Sequence, residues 1–207
     1  MSERTATAED ASAAPARRCF GDGDPLMARY HDREWGFPIL DERGLFERMS
    51  LEAFQSGLSW RTILARRDAF REAFAGFQPD VLARYGDVEV ARLLADAAII
   101  RNRAKIEATL ANARATVALR AGGVPLDTLI RSLVPRRRQR APRSWAEVPS
   151  KTAESEALAR ALKSRGFRFV GATTLYALMQ ACGLVNDHLA GCPFRPAVEV
   201  ARRAAGL

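Results

Sequence analysis

The residues best equipped for chemistry lie in Leu51-Glu52-Ala53-Phe54-Gln55-Ser56-Gly57-Leu58-Ser59-Trp60. One carboxylate, one amide and two hydroxyls interrupt an otherwise apolar stretch. On a helix reaching Ser56, the 3.6-residue period puts Glu52, Gln55 and Ser56 on one face and leaves Leu51 and Phe54 for packing. Gly57 suits the left-handed position that ends a helix. Ser59 suits the cap that opens the next, with Trp60 in its first turn. An ordinary corner with a packed Trp and a solvated Glu has the same local pattern.

The chain has two His and three Cys. His188 and Cys192 are four apart, one helical turn or a tight loop. Cys19 and His31 lie near the other end. Two Cys and two His suffice for a tetrahedral Zn²⁺ site. Such a site would tie the first ordered segment to the last and close a loop of nearly the whole domain. Four unrelated residues are the competing reading. Cys182, inside an apolar helix, reads as core.

Two basic stretches could meet a polyanion. The turn Ile99-Ile100-Arg101-Asn102-Arg103, followed by Lys105, joins two helical segments. Exposed N–H groups there, with Arg101, Arg103 and Lys105, would hold a DNA phosphate; a plain helix pair with a basic loop is the alternative. Lys163 to Gly171, with Arg165, interleaves base and aromatic, as a nucleic-acid face does. It also fits a solvated helix end followed by two core Phe. Tyr30, Trp35 and Trp60 supply rings for an aromatic pocket.

These side chains need a scaffold. The chain has 207 residues, 48% of them hydrophobic, which suits one sizeable domain or two small lobes with a shared core. No β-alternation appears, and the pattern is all-α. Asp24-Pro25 opens a short helix through His31, and Asp41 caps one to about Ser56. Ser59 to Arg67 follows, then Asp68 to Ala75, Val81 to Tyr85, and a helix capped by Asp87. A long helix starts at Asn102 and ends at Gly122-Gly123. Pro125 to Leu133, Ser150 to Ser164 and Thr173 to Cys182 complete the set. Val134 to Ser144 reads as a loop. Residues 1–16 read as a disordered tail, and 194–207 as an undetermined C-terminal tail. No apolar run approaches the roughly 20 residues of a membrane span, and no secretory signal is present. Three Cys make no disulfide framework, which points to the cytoplasm. The formal charge of +8 favours a polyanionic partner.

Taken together, these residues resemble the type I 3-methyladenine DNA glycosylases, a branch of the helix-hairpin-helix glycosylases. The resemblance runs in order from about residue 18 to 193. It is carried by Asp24-Pro25-Leu26, Tyr30-His31-Asp32 and Glu34-Trp35-Gly36; by Leu51-Glu52 with Gln55 and Gly57-Leu58-Ser59-Trp60; by Ile99-Ile100-Arg101 with Lys105-Ile106; by Arg165-Gly166-Phe167 with Phe169-Val170-Gly171; and by Met179 to His188 with Gly191-Cys192. The resemblance implies a glycosylase domain over 17–193, a monomer, and a substrate of double-stranded DNA with alkylated bases. It implies release of 3-methyladenine without strand cutting. Glu52 takes the position of the pocket carboxylate, Tyr30 and Trp60 of its stacking partners, and Trp35 of pocket wall. Cys19, His31, His188 and Cys192 match a structural zinc site. The turn from Ile99 to Lys105 matches a phosphate clamp.

The chain also departs from that pattern. Gly21 stands where the family often has a Trp two residues after the first Cys, with Phe20 beside it. One residue is missing between Cys19 and His31. Met27 replaces a further aromatic, and Ala98 a hairpin glycine. These changes thin the expected pocket wall. They motivate an alternative, a non-catalytic zinc-stabilised DNA-binding module of the same fold. A zinc hydrolase is a third reading, but four protein ligands leave the metal no open position.

Overall fold

The computed structural model describes residues 17–135 and 139–207. The expected N-terminal tail, 1–16, lies outside the described residues, as does part of the Arg-rich loop. Every regular element described is helical: α1 (Pro25–Arg33), α2 (Glu42–Gln55), α3 (Trp60–Ala65), α4 (Arg67–Ala73), α5 (Pro79–Leu82), α6 (Asp87–Ala95), α7 (Arg103–Ala121), α8 (Leu126–Ser132), α9 (Ala153–Lys163), α10 (Ala172–Ala181) and α11 (Arg195–Ala204), with short 3₁₀ turns at Ala75–Phe77 and Trp145–Glu147.

Helix starts follow side-chain capping. The Asp24 carboxylate accepts from the N–H groups of Leu26 and Met27, with Pro25 in the first turn. Asp41 accepts from Gly44 N, Ser59 from Thr62 N, and Asn102 from Lys105 N. Thr152 and Ser155 form a reciprocal pair at the head of α9. One start differs from expectation: Gly86, not Asp87, is the cap of α6, and its N–H donates to Glu89 at 2.7 Å.

Helix α2 is the central rod. Leu45, Phe46, Met49, Leu51 and Phe54 are fully enclosed, and α10 packs along it, with α9 on the far side of α10. The 3.6 period gives α2 apolar side chains on more than one face, which is what a helix surrounded by others requires. Phe70, Phe74 and Phe77 extend the same core beside Phe54 of α2. Of the two Phe near Arg168, only Phe167 is core. Phe169 has φ +55° and is half exposed, so the sequence reading of two core Phe does not hold.

The C-terminal residues are not a tail. Val198 of α11 is buried, and the Arg202 guanidinium donates to the carbonyls of Gly183 and Leu184 at 2.7 and 3.2 Å. Those carbonyls lie just past the end of α10, where backbone acceptors are left over. Gly183 itself (φ +66°) presses against residues 36–38: a Cβ there would sit 2.4 Å from Gly36 O. Only glycine permits that approach. It brings the first ordered loop and the segment before His188 into one layer.

Candidate functional site

Four donors converge in that layer. Cys19, His31, His188 and Cys192 place one ligand atom each within 4.8 Å of one another. The two His and Cys192 are buried and Cys19 is half-buried. His188 Nδ1 lies 3.6 Å from Cys19 Sγ and 3.3 Å from Cys192 Sγ, and His31 Nε2 lies 3.6 Å from Cys192 Sγ. These are the separations expected of ligands sharing one tetrahedral ion at about 2.0–2.3 Å. The partners assign the tautomers. His188 Nε2–H donates to Trp35 O at 3.0 Å, leaving the Nδ1 lone pair inward. His31 Nδ1–H donates to Asp32 at 2.9 Å, while Nε2 accepts from Cys19 N–H. A carboxylate behind a ligating imidazole orients it and raises its basicity; Arg18 in turn pairs with Asp32 at 2.8 Å. Leu189 N–H donates to Cys19 Sγ. Burial pushes the Cys19 thiol up to about 12 and His188 down to about 4. Two thiols and two imidazoles converging on one point are a donor set that fits a metal.

Beside this cluster lies a pocket of about 250 Å³, large enough to admit one nucleobase. Its floor is Tyr30, Trp60 and Trp35, the three rings expected from the sequence. Tyr30 and Trp60 lie 5.3 Å apart, tilted by 44°. Glu52 and Gln55, one turn apart on α2, both face in; Ser56 does not. Met27 and Gln180 complete much of the rim. Glu52 is 5% exposed. Burial pushes its carboxyl up to about 7, opposed only by the charge of Arg48. Glu52 lines the pocket, so its carboxylate is available to a group bound there.

Arg48 was not singled out from the sequence. Its guanidinium is buried, with Cζ 5.5 Å from the Tyr30 ring and 5.6 Å from the Trp60 ring. It reaches Glu34 at 3.7 Å, and Glu34 is shared with Arg67. Arg48 Nη1 and Trp60 Nε1 are buried without a partner. A buried cation behind two aromatic rings fixes their tilt by cation–π attraction and holds part of the field on Glu52. A lone Arg within an apolar helical pattern was the only signal for it.

The expected DNA-contacting residues do not form one patch. Arg101 and Arg103 are exposed at the head of α7, and Arg103 pairs loosely with Glu107. Lys105 turns inward instead. Its ammonium donates to Phe54 O at 2.9 Å and to Ser56 O at 2.5 Å, so it caps the open carbonyls at the end of α2. The expected outward phosphate contact from Lys105 gives way to this structural role. Arg165 is exposed, but it lies by Ala115, Ala118 and Gly122. That is about 20 Å along α7 from Arg103, at about 1.5 Å per residue. Asn112 anchors this second basic turn, exchanging two hydrogen bonds with the Arg168 backbone at 3.0 and 2.7 Å.

A sequence model of the methyladenine glycosylase family matches residues 20–196. The chain belongs to that family. It is 46% identical over 170 residues to DNA-3-methyladenine glycosylase 1 of Escherichia coli, covering 82% of this chain and 91% of that protein. A crystal structure of 3-methyladenine DNA glycosylase I superposes with a TM-score of 0.82 at 46% identity, covering 86% of this chain and 98% of the other. The 3-methyladenine DNA glycosylase I of Staphylococcus aureus, studied for 3-methyladenine recognition, matches at 31% identity with a TM-score of 0.79, covering 84% and 93%. The matched stretch takes in the pocket residues and His31, His188 and Cys192 of the metal cluster, and begins one residue after Cys19; the all-α architecture agrees with the family.

No helix among the described residues is long and apolar enough to cross a membrane.

Proposed function

We propose that this chain is a monomeric, cytoplasmic DNA glycosylase that hydrolyses the N-glycosidic bond of 3-methyladenine in alkylated double-stranded DNA. The observation that carries this reading is the buried Glu52 carboxylate lining an aromatic pocket formed by Tyr30, Trp35 and Trp60. Methylation at the ring nitrogen makes the base cationic and a good leaving group, so little acid catalysis is needed. The nucleotide is flipped out of the duplex. Tyr30 and Trp60 stack on the base, Trp35 walls the pocket, and the ionised Glu52 favours the cation over neutral adenine. No Lys lines the pocket, which supports hydrolysis by water rather than an amine–sugar adduct and thus an abasic site on an intact strand. Zn²⁺ is the ion the Cys₂His₂ set suits best. With four protein ligands it is structural, holding Cys19 and Trp35 against the far end of the chain.

Incubation with methylated duplex, followed by chromatography of the released bases, tests the reading. Free 3-methyladenine and an uncut strand are expected. Tight duplex binding without base release would instead favour the non-catalytic module.

The same reading gives a salt prediction. With net charge +8 and about four phosphate contacts, affinity for plain duplex should fall about 100-fold between about 50 and 200 mM salt. Arg101→Ala and Arg103→Ala should each lower the slope of log affinity on log salt by about 1. Lys105→Met should leave the slope alone, because that ammonium is engaged inward. Titrations of one duplex at several salt concentrations decide this, and a flat response contradicts the phosphate clamp.

A further inference from the structure

The structure admits no side chain at Gly21, on the segment that leads into the pocket. Gly21 has φ +95°, and a Cβ would lie 2.8 Å from both Ala28 N and Met27 C. The ring beside it, Phe20, turns its edge onto His31 at 4.8 Å and Trp35 at 5.1 Å, so it seals the pocket from the metal cluster. The outer wall comes from elsewhere in the chain. Trp145, in the 3₁₀ turn between α8 and α9, lines the pocket with its ring 6.2 Å from Phe20 and 6.0 Å from Trp35. It is 44% exposed, an unusual place for an indole without a ligand.

Three hydrogen bonds preset this turn. Trp145 Nε1 donates to Cys19 O at 3.0 Å, Ala190 N–H donates to Pro142 O at 2.8 Å, and Arg143 N–H donates to the Glu147 carboxylate at 2.9 Å. The indole is thus braced against both metal-bearing segments while its face stays open. A braced, half-open indole in the same pocket as a buried carboxylate suits a flat, electron-poor ring.

We propose that Trp145 is a base-contacting residue, the outer aromatic wall of a pocket to which Gly21 can contribute no side chain, and that it contributes to selection of cationic methylated purines. The proposal rests on the glycosylase reading above. Its test uses free 3-methyladenine as the probe with the full-length wild-type, Trp145→Ala and Trp145→Phe proteins. Equilibrium dialysis gives base affinity, single-turnover assays give release from methylated duplex, and zinc content and melting point report on the brace. Trp145→Ala is expected to slow release of the cationic lesion by about 3- to 30-fold, the range for losing one cation–π wall, and to weaken binding of the free base by less, because that base is neutral once the glycosidic electron pair has returned to it and only stacking is lost. Trp145→Phe keeps a ring and loses the N–H, so it should stay within about threefold of wild type. In the wild-type protein, the indole N–H resonance absent from Trp145→Phe should shift when base is added. That last measurement needs no alanine variant to fold. An unmoved resonance overturns the proposal. So does equal loss in both variants accompanied by zinc loss, which would make Trp145 only a brace of Cys19. If wild-type protein neither binds nor releases the base, it is the glycosylase reading that fails.

Discussion

Protein stripped by a strong chelator, or carrying Cys192→Ser, is expected to hold less than about one-tenth equivalent of zinc and to melt at least about 10 °C below wild type. The cluster links residues 161 to 169 positions apart in sequence, so the ion closes a loop of nearly the whole domain. Structural zinc sites contribute about 10–16 kcal/mol in small finger peptides. The large core here keeps folding from depending wholly on the metal, so a smaller share should be lost. Each kcal/mol shifts the midpoint by about 2–4 °C for a domain of this size, and even about 4 kcal/mol reaches the expected change. Base release should fall with the fold, because His188 Nε2–H holds the Trp35 carbonyl and Trp145 hangs on Cys19. Metal analysis by mass spectrometry beside a melting curve checks this. Protein prepared without chelator that lacks zinc would sink the assignment. Activity lost on chelation at an unchanged melting point would point to a catalytic metal instead.

The parts legible in the sequence were those with local cause. Asp41 and Gly57 bracket α2, and Asn102 and Gly123 bracket α7, because caps and left-handed stops act within one turn. Glu52 and Gln55 share the pocket face through helical period alone. The metal set was visible as a donor count, though spacing alone could not exclude four unrelated residues. What escaped depends on partners far along the chain. Trp145 meets Cys19 across 126 positions, and nothing near residue 145 announces it. Lys105 turned inward because the end of α2 offers two unused carbonyls, a fact about another helix. The α11 helix was missed for the same reason. Its Ala- and Arg-rich sequence is weakly apolar, and Arg202 finds its acceptors only at the end of α10. Arg48 is a cation in the core, tolerated through two ring faces and Glu34, which no local pattern foretells.

Glu52→Gln should separate stability from recognition. The carboxyl's ordinary value of 4.5 rises to about 7 on folding. Between these values the folded state binds the extra proton. The favourable contribution is therefore full below about pH 4.5 and is lost as pH rises through about 7. Above pH 7 the folded protein carries a buried charge that costs up to about 3 kcal/mol, at about 1.4 kcal/mol per unit. Glutamine removes the charge and keeps the shape, so melting at pH 8 should hold steady or rise by several degrees. Excision should move the other way. Loss of a charge-assisted contact to the cationic base costs about 1–3 kcal/mol, or about 5- to 150-fold under single-turnover conditions. The wild-type rate at limiting enzyme should also fall about tenfold per pH unit well below 7, as Glu52 takes up its proton. The Gln variant should lack that limb, since the lesion's own positive charge does not titrate. Melting curves and single-turnover release of 3-methyladenine, both run from pH 5 to 9, test the pair of expectations. Unchanged excision with a lowered melting temperature would make Glu52 a structural corner residue and move base selection to the aromatic walls.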